Sequence, residues 1–283
     1  MSEKIWVPDG VPLDKPNVAR IYDYYLGGYH NFEIDRLVAE RVAQVYPDVR
    51  LASHVNRAFL RRAVRFLVEQ GIDQFLDIGS GIPTVGNVHQ VAQAGNPAAR
   101  VVYVDIDPIA VAHSQAILQD NPQATAIQAD AREPERILNL PEVKSLLDLS
   151  KPVAVLLVAM LHLLPEDDQG YHTVRTLRDT LTPGSYVVIS HPTREDAPPE
   201  FLAQVDRLSA MASSPYQYRR RAQIQRFFDG LELLEPGLVH TPLWRPEGPD
   251  DALLDTPERG LSLAGIGRKP SVPERDRHIT RGG

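Results

Sequence analysis

Residues 75–81 read Phe-Leu-Asp-Ile-Gly-Ser-Gly, and Asp77, Gly79, Ser80 and Gly81 are the members that could do chemistry. Glycines placed directly after an apolar run permit a tight turn and let a ligand approach the main chain closely. Pro83 stands near the place where a dinucleotide fingerprint wants its third glycine, and proline has no N–H to offer a pyrophosphate. A loop that allows close approach without cradling phosphate suits a sulfonium nucleoside better. The same residues also fit a strand-to-helix turn that binds nothing.

Two later acids extend the pattern. Asp105 closes Val-Val-Tyr-Val-Asp at 101–105, where a carboxylate can accept both hydroxyls of a ribose. Asp107 reads as a helix cap, because Pro108 follows at the favoured first position. Asp130, in Ala129-Asp130-Ala131, would accept from an adenine amino group while Ala131 meets the ring. Either acid alone fits a loop or cap role equally well; together they favour a ligand. His162 is the candidate catalytic base and His191 a weaker one, since imidazole titrates near neutrality. A structural or adenosine-side role for His162 stays open beside the catalytic one.

These residues need a scaffold that gathers them. Short Val- and Ile-rich runs at 74–78, 100–104, 125–128, 153–158 and 185–189 read as buried parallel strands. Helix-length segments at 84–94, 108–119, 133–147 and 168–181 separate them. The alternation predicts a doubly wound, Rossmann-like α/β sheet whose ligand lies outside the carboxyl ends of the strands. Residues 237–244 and 261–267 look like two further strands. Their connection carries three prolines and two glycines, so no crossover helix fits and the pair should be antiparallel. The expected total is seven strands, the last one antiparallel.

Before the sheet, 17–26 and 53–70 read as helices, the second with Ser53 as N-cap, and 1–71 is expected to form an extension and helical cap. Tyr22 to Gly28, a tyrosine-rich turn ending in Gly-Gly, is expected to close over the cofactor cleft. Asp35-Arg36 and Asn56-Arg57 are expected to tie the amino-terminal helices together. Within a core of 72–269, residues 193–229 are long enough for a lid and hold Met211, Tyr216, Tyr218, Phe227 and Phe228. Arg219-Arg220-Arg221 with Arg226 would suit an anionic acceptor or, more commonly, a solvated helix start. The tail, 270–283, is expected to be disordered.

Composition narrows the classes. A chain of 283 residues suits one elaborated domain, and 43% apolar residues can bury a full central sheet. Without cysteine there is no disulfide, thiolate nucleophile or iron–sulfur ligand. A net charge of −7 gives no bulk attraction for nucleic acid. No apolar run approaches the roughly 20 residues that span a bilayer, and no secretory signal opens the chain. A soluble, cytoplasmic protein without nucleic-acid or membrane partners is expected, its oligomeric state undetermined.

The ordered series Asp77-Ile-Gly-Ser-Gly81, Asp105, Asp130-Ala131 and Pro183-Gly-Ser-Tyr-Val-Val-Ile-Ser190 resembles class I S-adenosylmethionine methyltransferases. Ala19-Arg-Ile-Tyr-Asp-Tyr-Tyr-Leu-Gly-Gly28, with Asn31-Phe32 and Asp35-Arg36, resembles an actinobacterial branch of S-adenosyl methyltransferases. Pro83 and the long gap from Asp77 to Asp105 depart from the usual pattern. The resemblance implies S-adenosylmethionine as cofactor. It places Gly79, Ser80 and Gly81 at the methionine end, Asp77 near the amino group and Asp105 on the ribose. Ile106 packs on the adenine, Asp130 and Ala131 meet its edge, and Ala159 and Met160 face the sulfonium. Tyr22 and Gly28 cover the site from the cap.

The expected reaction is methyl transfer to an oxygen or nitrogen of a small molecule, with no metal required. Alternatives are a non-catalytic S-adenosylmethionine-binding regulator and, on a similar fold, a nicotinamide-dependent oxidoreductase.

Overall fold

The structure, a computed structural model, describes residues 15–83, 86–164, 167–195, 197–211 and 216–271. The expected extended start at 1–14, the opening of the expected helix at Thr84 and most of the expected tail lie outside the described residues.

Three helices come first: α1 (Val18–Tyr25), α2 (Glu33–Val45) and α3 (Val49–Glu69). Asn17 caps α1, its Oδ1 accepting the Ala19 amide at 2.8 Å. The helix α2 has no counterpart in the sequence reading, because its apolar positions are few and Glu, Asp and Arg fill the rest. Asp48 rather than Ser53 caps α3. Ser53 lies inside that helix and its hydroxyl donates back to the Val49 carbonyl at 2.8 Å, the usual outlet for a serine within a helix.

The sheet then alternates with helices: β1 (Gln74–Ile78), α4 (Val88–Gly95), β2 (Arg100–Asp105), α5 (Pro108–Ile117), β3 (Ala124–Gln128), α6 (Pro134–Asn139) and α7 (Pro141–Leu146). Next come β4 (Ala154–Val158), α8 (Asp167–Thr180) and β5 (Tyr186–Pro192). The segment expected as one helix over 133–147 is two, because Pro141 cannot continue the first and opens the second. After β5 follow α9 (Pro199–Met211), α10 (Arg221–Gln225), β6 (Glu232–Leu233), β7 (Val239–His240) and β8 (Ser262–Arg268).

The strand order is β3-β2-β1-β4-β5-β8-β6, with β7 also paired to β8. The first five strands run parallel and β8 runs antiparallel to β5, β6 and β7. Eight strands are present among the described residues instead of seven. The strand before the last is split by a turn in which Gly237, at φ +88°, donates to the Leu234 carbonyl. The connection from β7 to β8 holds only turns and 3-10 helices, as its prolines require.

Strand residues alternate between two cores, as a pleated backbone demands. Leu76, Val102, Val155 and Val187 face α6, α7 and α8. Phe75, Val101, Leu156 and Val188 face α3 and α4, with Trp244 sealing that side. A smaller cluster of Tyr46, Ala52, Ala197, Phe201 and Leu261 joins α2, α3 and α9. The order reverses between β1 and β4, so the loops after them flank the crevice where such sheets take ligands. No described helix is long and apolar enough to cross a membrane.

Candidate functional site

The loop after β1 turns its amides inward. Gly79 and Ser80 donate to the Val104 carbonyl at 2.8 and 3.2 Å, and Gly81 donates to Asp105 Oδ2 at 2.7 Å. Three consecutive N–H groups that would cradle a phosphate are therefore committed to β2. Gly79 and Gly81 sit at φ +72° and +67°, and a Cβ on Gly79 would come within 2.6 Å of Met160 Cβ. The glycines are required by backbone conformation and by the approach of the β4 loop.

Asp77 and Asp105 end adjacent strands and are both buried. Asp77 accepts no hydrogen bond from the described residues. Burial raises its carboxyl to about 7, the Arg57 guanidinium opposing and Asp105 adding. Burial also raises Asp105, against the amides of Asp107 and Gly81 that it accepts. Arg57 was read from the sequence only as a helix tie. It reaches Asn87 Oδ1 with Nη2 at 3.0 Å, while its buried Nε has no partner among the described residues. Its helical spacing on α3, off the apolar face, was the available signal.

Beyond Asp105 the side chain of Ile106 is 56% exposed, an apolar plate at the strand end. Asp107 caps α5 as expected, accepting the Ile109 amide at 2.9 Å. Asp130 is gripped by Arg132, which donates to both its oxygens and holds the carboxyl below its ordinary value. Ala131 lies beside it, its carbonyl accepting from Thr173 Oγ1.

On the other flank, Ala159 leaves β4 at φ +54°. A left-handed alanine costs on the order of 1–3 kcal/mol and persists only where its surroundings enforce it. Its amide is held by the Ser190 carbonyl and Oγ at 3.1 and 3.0 Å. The turn packs Met160 on Gly79 and leads into the 3-10 helix Leu161–Leu163, which carries His162.

The His162 ring lies 5.9 Å from His191 and 6.2 Å from each of Tyr216 and Tyr218. Its buried Nδ1 has no partner among the described residues. Burial, aided by Arg219, lowers its pKa to about 3, so it is neutral at physiological pH.

His191 is not placed to be a base. It is fully buried, its Nδ1 meets the Pro192 carbonyl at 2.8 Å and its Nε2 meets Arg219 Nη1 at 2.9 Å. The arginine run does not assemble an anion site either. Arg219 is buried beneath the His162 turn, donating to the Leu161 carbonyl at 3.1 Å. Arg221 holds the Leu238 carbonyl, Arg226 lies over Tyr171, and Arg220 stands at the N-cap position of α10 with its amide donating to Gln223 Oε1.

The amino-terminal segment reaches both flanks. Tyr22 Oη accepts from Asn56 and donates to the Ser53 carbonyl. His30 packs on His113 of α5, ring centroids 3.9 Å apart. Gly28 is explained within the cap itself, since a Cβ there would lie 2.0 Å from the buried Asp23 carboxylate. Arg20 and Asp35 pair at 2.8 Å, both buried, and Asp35 also caps α2 by accepting the Phe32 amide. Asp35 thus binds α1 to α2, a helix outside the expected pair, whereas Asn56 of α3 joins α1 through Tyr22 and β5 through Ser190.

These residues fit the cofactor that the motifs imply. Asp77 and the Arg57 Nε are buried groups of opposite charge, still open to bonding, as a zwitterionic amino-acid end requires. Among the described residues no group of three or more His, Asp or Glu side chains is placed to hold a metal ion.

Comparison with solved structures gives the same architecture. A candidate methyltransferase from Thermobifida fusca YX is 44% identical, with a TM-score of 0.87 over 95% of this chain and 100% of that one. A duf574 family protein from Streptomyces avermitilis MA-4680 is 38% identical, with a TM-score of 0.85 over 91% and 99%. Human N-acetylserotonin methyltransferase, solved in complex with SAM, shares the fold at 14% identity, with a TM-score of 0.50 over 93% and 61%. Comparison with curated proteins finds no match. The nicotinamide reading is overturned, because a family profile described as S-adenosyl methyltransferase matches residues 5–270. The chain belongs to that S-adenosyl methyltransferase family, whose cofactor is S-adenosylmethionine.

Proposed function

We propose that this enzyme methylates an oxygen or nitrogen of a small-molecule acceptor bound between His162 and the tyrosines at 216 and 218. The observation that carries the reading is the buried His162 Nδ1, unpartnered among the described residues, beside the turn at Ala159. Bound S-adenosylmethionine supplies a methyl group on positive sulfur, already activated for in-line displacement.

In this reading Asp77 takes the cofactor's ammonium and Arg57 its carboxylate. Asp105 accepts the ribose hydroxyls, Ile106 carries the adenine, and Asp130 and Ala131 lie at its edge. Gly79, Ser80 and Gly81 let the amino-acid end approach the main chain. Met160 and Ala159 border the reacting methyl. Residues 18–45 and the described parts of 193–229 exclude water from the two sides, and Tyr22 and Gly28 serve by holding the cap.

His162 orients the acceptor by accepting its O–H or N–H and takes that proton as the methyl arrives. A weak base suffices for a hydroxyl, because an oxygen methylated before losing its proton is a far stronger acid than an imidazolium.

Calorimetric titration with S-adenosylhomocysteine, followed by an acceptor screen using labelled S-adenosylmethionine, tests the reading. Micromolar S-adenosylhomocysteine binding together with label transfer to neutral hydroxyl or amine compounds is expected. Binding without transfer to any small molecule would defeat the acceptor assignment.

A further inference from the structure

One chain of hydrogen bonds connects the cap to the strained turn of the site. The Ala159 amide donates to Ser190 Oγ at 3.0 Å. Ser190 Oγ donates to Asn56 Oδ1 at 2.6 Å, and Asn56 Nδ2 donates to Tyr22 Oη at 3.0 Å. Tyr22 Oη donates to the Ser53 carbonyl at 3.1 Å. The Ala159 amide is shared with the Ser190 carbonyl at 3.1 Å, and from Ser190 Oγ onward the bonds run in one direction, so turning the Asn56 amide over breaks two of them. Ser190 and Asn56 are buried, and water has little access to replace a lost partner.

The three side chains and two main-chain groups come from four elements: α1, α3, the end of β5 and the turn after β4. That turn carries the left-handed Ala159, which needs external enforcement, and it is followed within three residues by His162. Among the described residues Ser190 Oγ is the only side-chain oxygen on the Ala159 amide, beside the Ser190 carbonyl. Tyr22, at the far end, belongs to the helix that Asp35 ties to α2.

We propose that Tyr22, Asn56 and Ser190 are positioning residues: docking of α1 sets the Ala159 turn, and through it the placement of Met160 and His162 for methyl transfer. The amino-terminal cap is then part of the reacting geometry as well as its cover. This inference rests on the site reading above for its consequence in catalysis, but its structural core can be tested without any ligand.

The test is hydrogen exchange of the Ala159 amide in the intact protein, with Tyr22→Phe, Ser190→Ala and the double variant. Tyr24→Phe is the control, since the Tyr24 hydroxyl lies on the same helix but bonds Glu40 at the surface. Each of the two single variants should speed Ala159 exchange about tenfold, and the double variant should be no faster than Ser190→Ala, because both act on one chain. Tyr24→Phe should leave it unchanged. S-adenosylhomocysteine affinity, read in parallel, should fall with the same non-additivity.

Additive effects, or Tyr22→Phe exchange equal to wild type, would overturn the relay. If wild-type protein fails to bind S-adenosylhomocysteine while the exchange pattern holds, the site reading fails and the relay stands. Tyr22→Phe removes a single hydroxyl, so it keeps the test available even if Ser190→Ala does not fold.

Discussion

Gly81 and Asp105 are joined across the mouth of the sheet, the Gly81 amide donating to Asp105 Oδ2 at 2.7 Å. The glycine-rich loop is thereby anchored to the carboxylate proposed to hold the ribose, and one residue serves loop order and ligand recognition together. Replacing Asp105 with Ala strands two amides, those of Gly81 and Asp107. The expected result is S-adenosylhomocysteine binding weakened about 10- to 100-fold, the worth of a hydrogen bond to a charged group. Calorimetry checks it; unchanged affinity would remove Asp105 from the site.

Asp77 makes binding depend on pH. Its carboxyl titrates at about 7 in the folded protein against 3.8 ordinarily, so the unfolded chain loses this proton first. Stability without ligand should fall as pH rises from about 4 to about 7, since over that window the folded state holds the extra proton. Binding of an ammonium needs the charged carboxylate, so affinity should rise over the same upper range. Titrations at pH 6, 7 and 8 should show this rise for the wild type and none for Asp77→Asn.

Arg57 opposes the upward shift of Asp77, so its removal has a signed effect. In Arg57→Met the midpoint of the pH-dependent affinity should move above that of the wild type, and affinity at pH 8 should drop. A midpoint that stays put would show that the guanidinium does not act on the Asp77 carboxylate.

His162→Ala should leave S-adenosylhomocysteine affinity within about twofold, while methylation of a hydroxyl acceptor falls by about 100- to 10,000-fold, the usual reach of a positioned acid–base group. Because its pKa is depressed to about 3, the wild-type rate should show no imidazole inflection between pH 5 and 8. An inflection near pH 6.5 lost in His162→Ala would mean a far less buried ring.

The Arg20–Asp35 pair holds the cap. Asp35→Ala leaves a buried guanidinium without its carboxylate and uncaps α2, and a loss of about 3–5 kcal/mol is expected. Chemical denaturation with far-ultraviolet circular dichroism measures it; a loss under about 1 kcal/mol would mean that water replaces the carboxylate.

By itself the sequence determined the alternating α/β class and the antiparallel end of the sheet. Val- and Ile-rich runs such as 100–104 cannot be other than buried strands, Gly79 and Gly81 mark the turn, and the proline-rich 245–260 leaves the last strand no parallel route. Local rules act over a few residues, so they also placed the Asp107 cap. They failed where distant residues decide. The short pieces of β6 and β7 are held by pairing to β8, and α2 by an ion pair to α1. Tertiary structure alone decided that Arg219, 28 residues along the chain, occupies His191 Nε2. It alone brought Asn56, Ser190 and Tyr22 onto the Ala159 turn. Hydrogen bonds between side chains so far apart in sequence depend on where the packed elements bring them, and no spacing or periodicity encodes that.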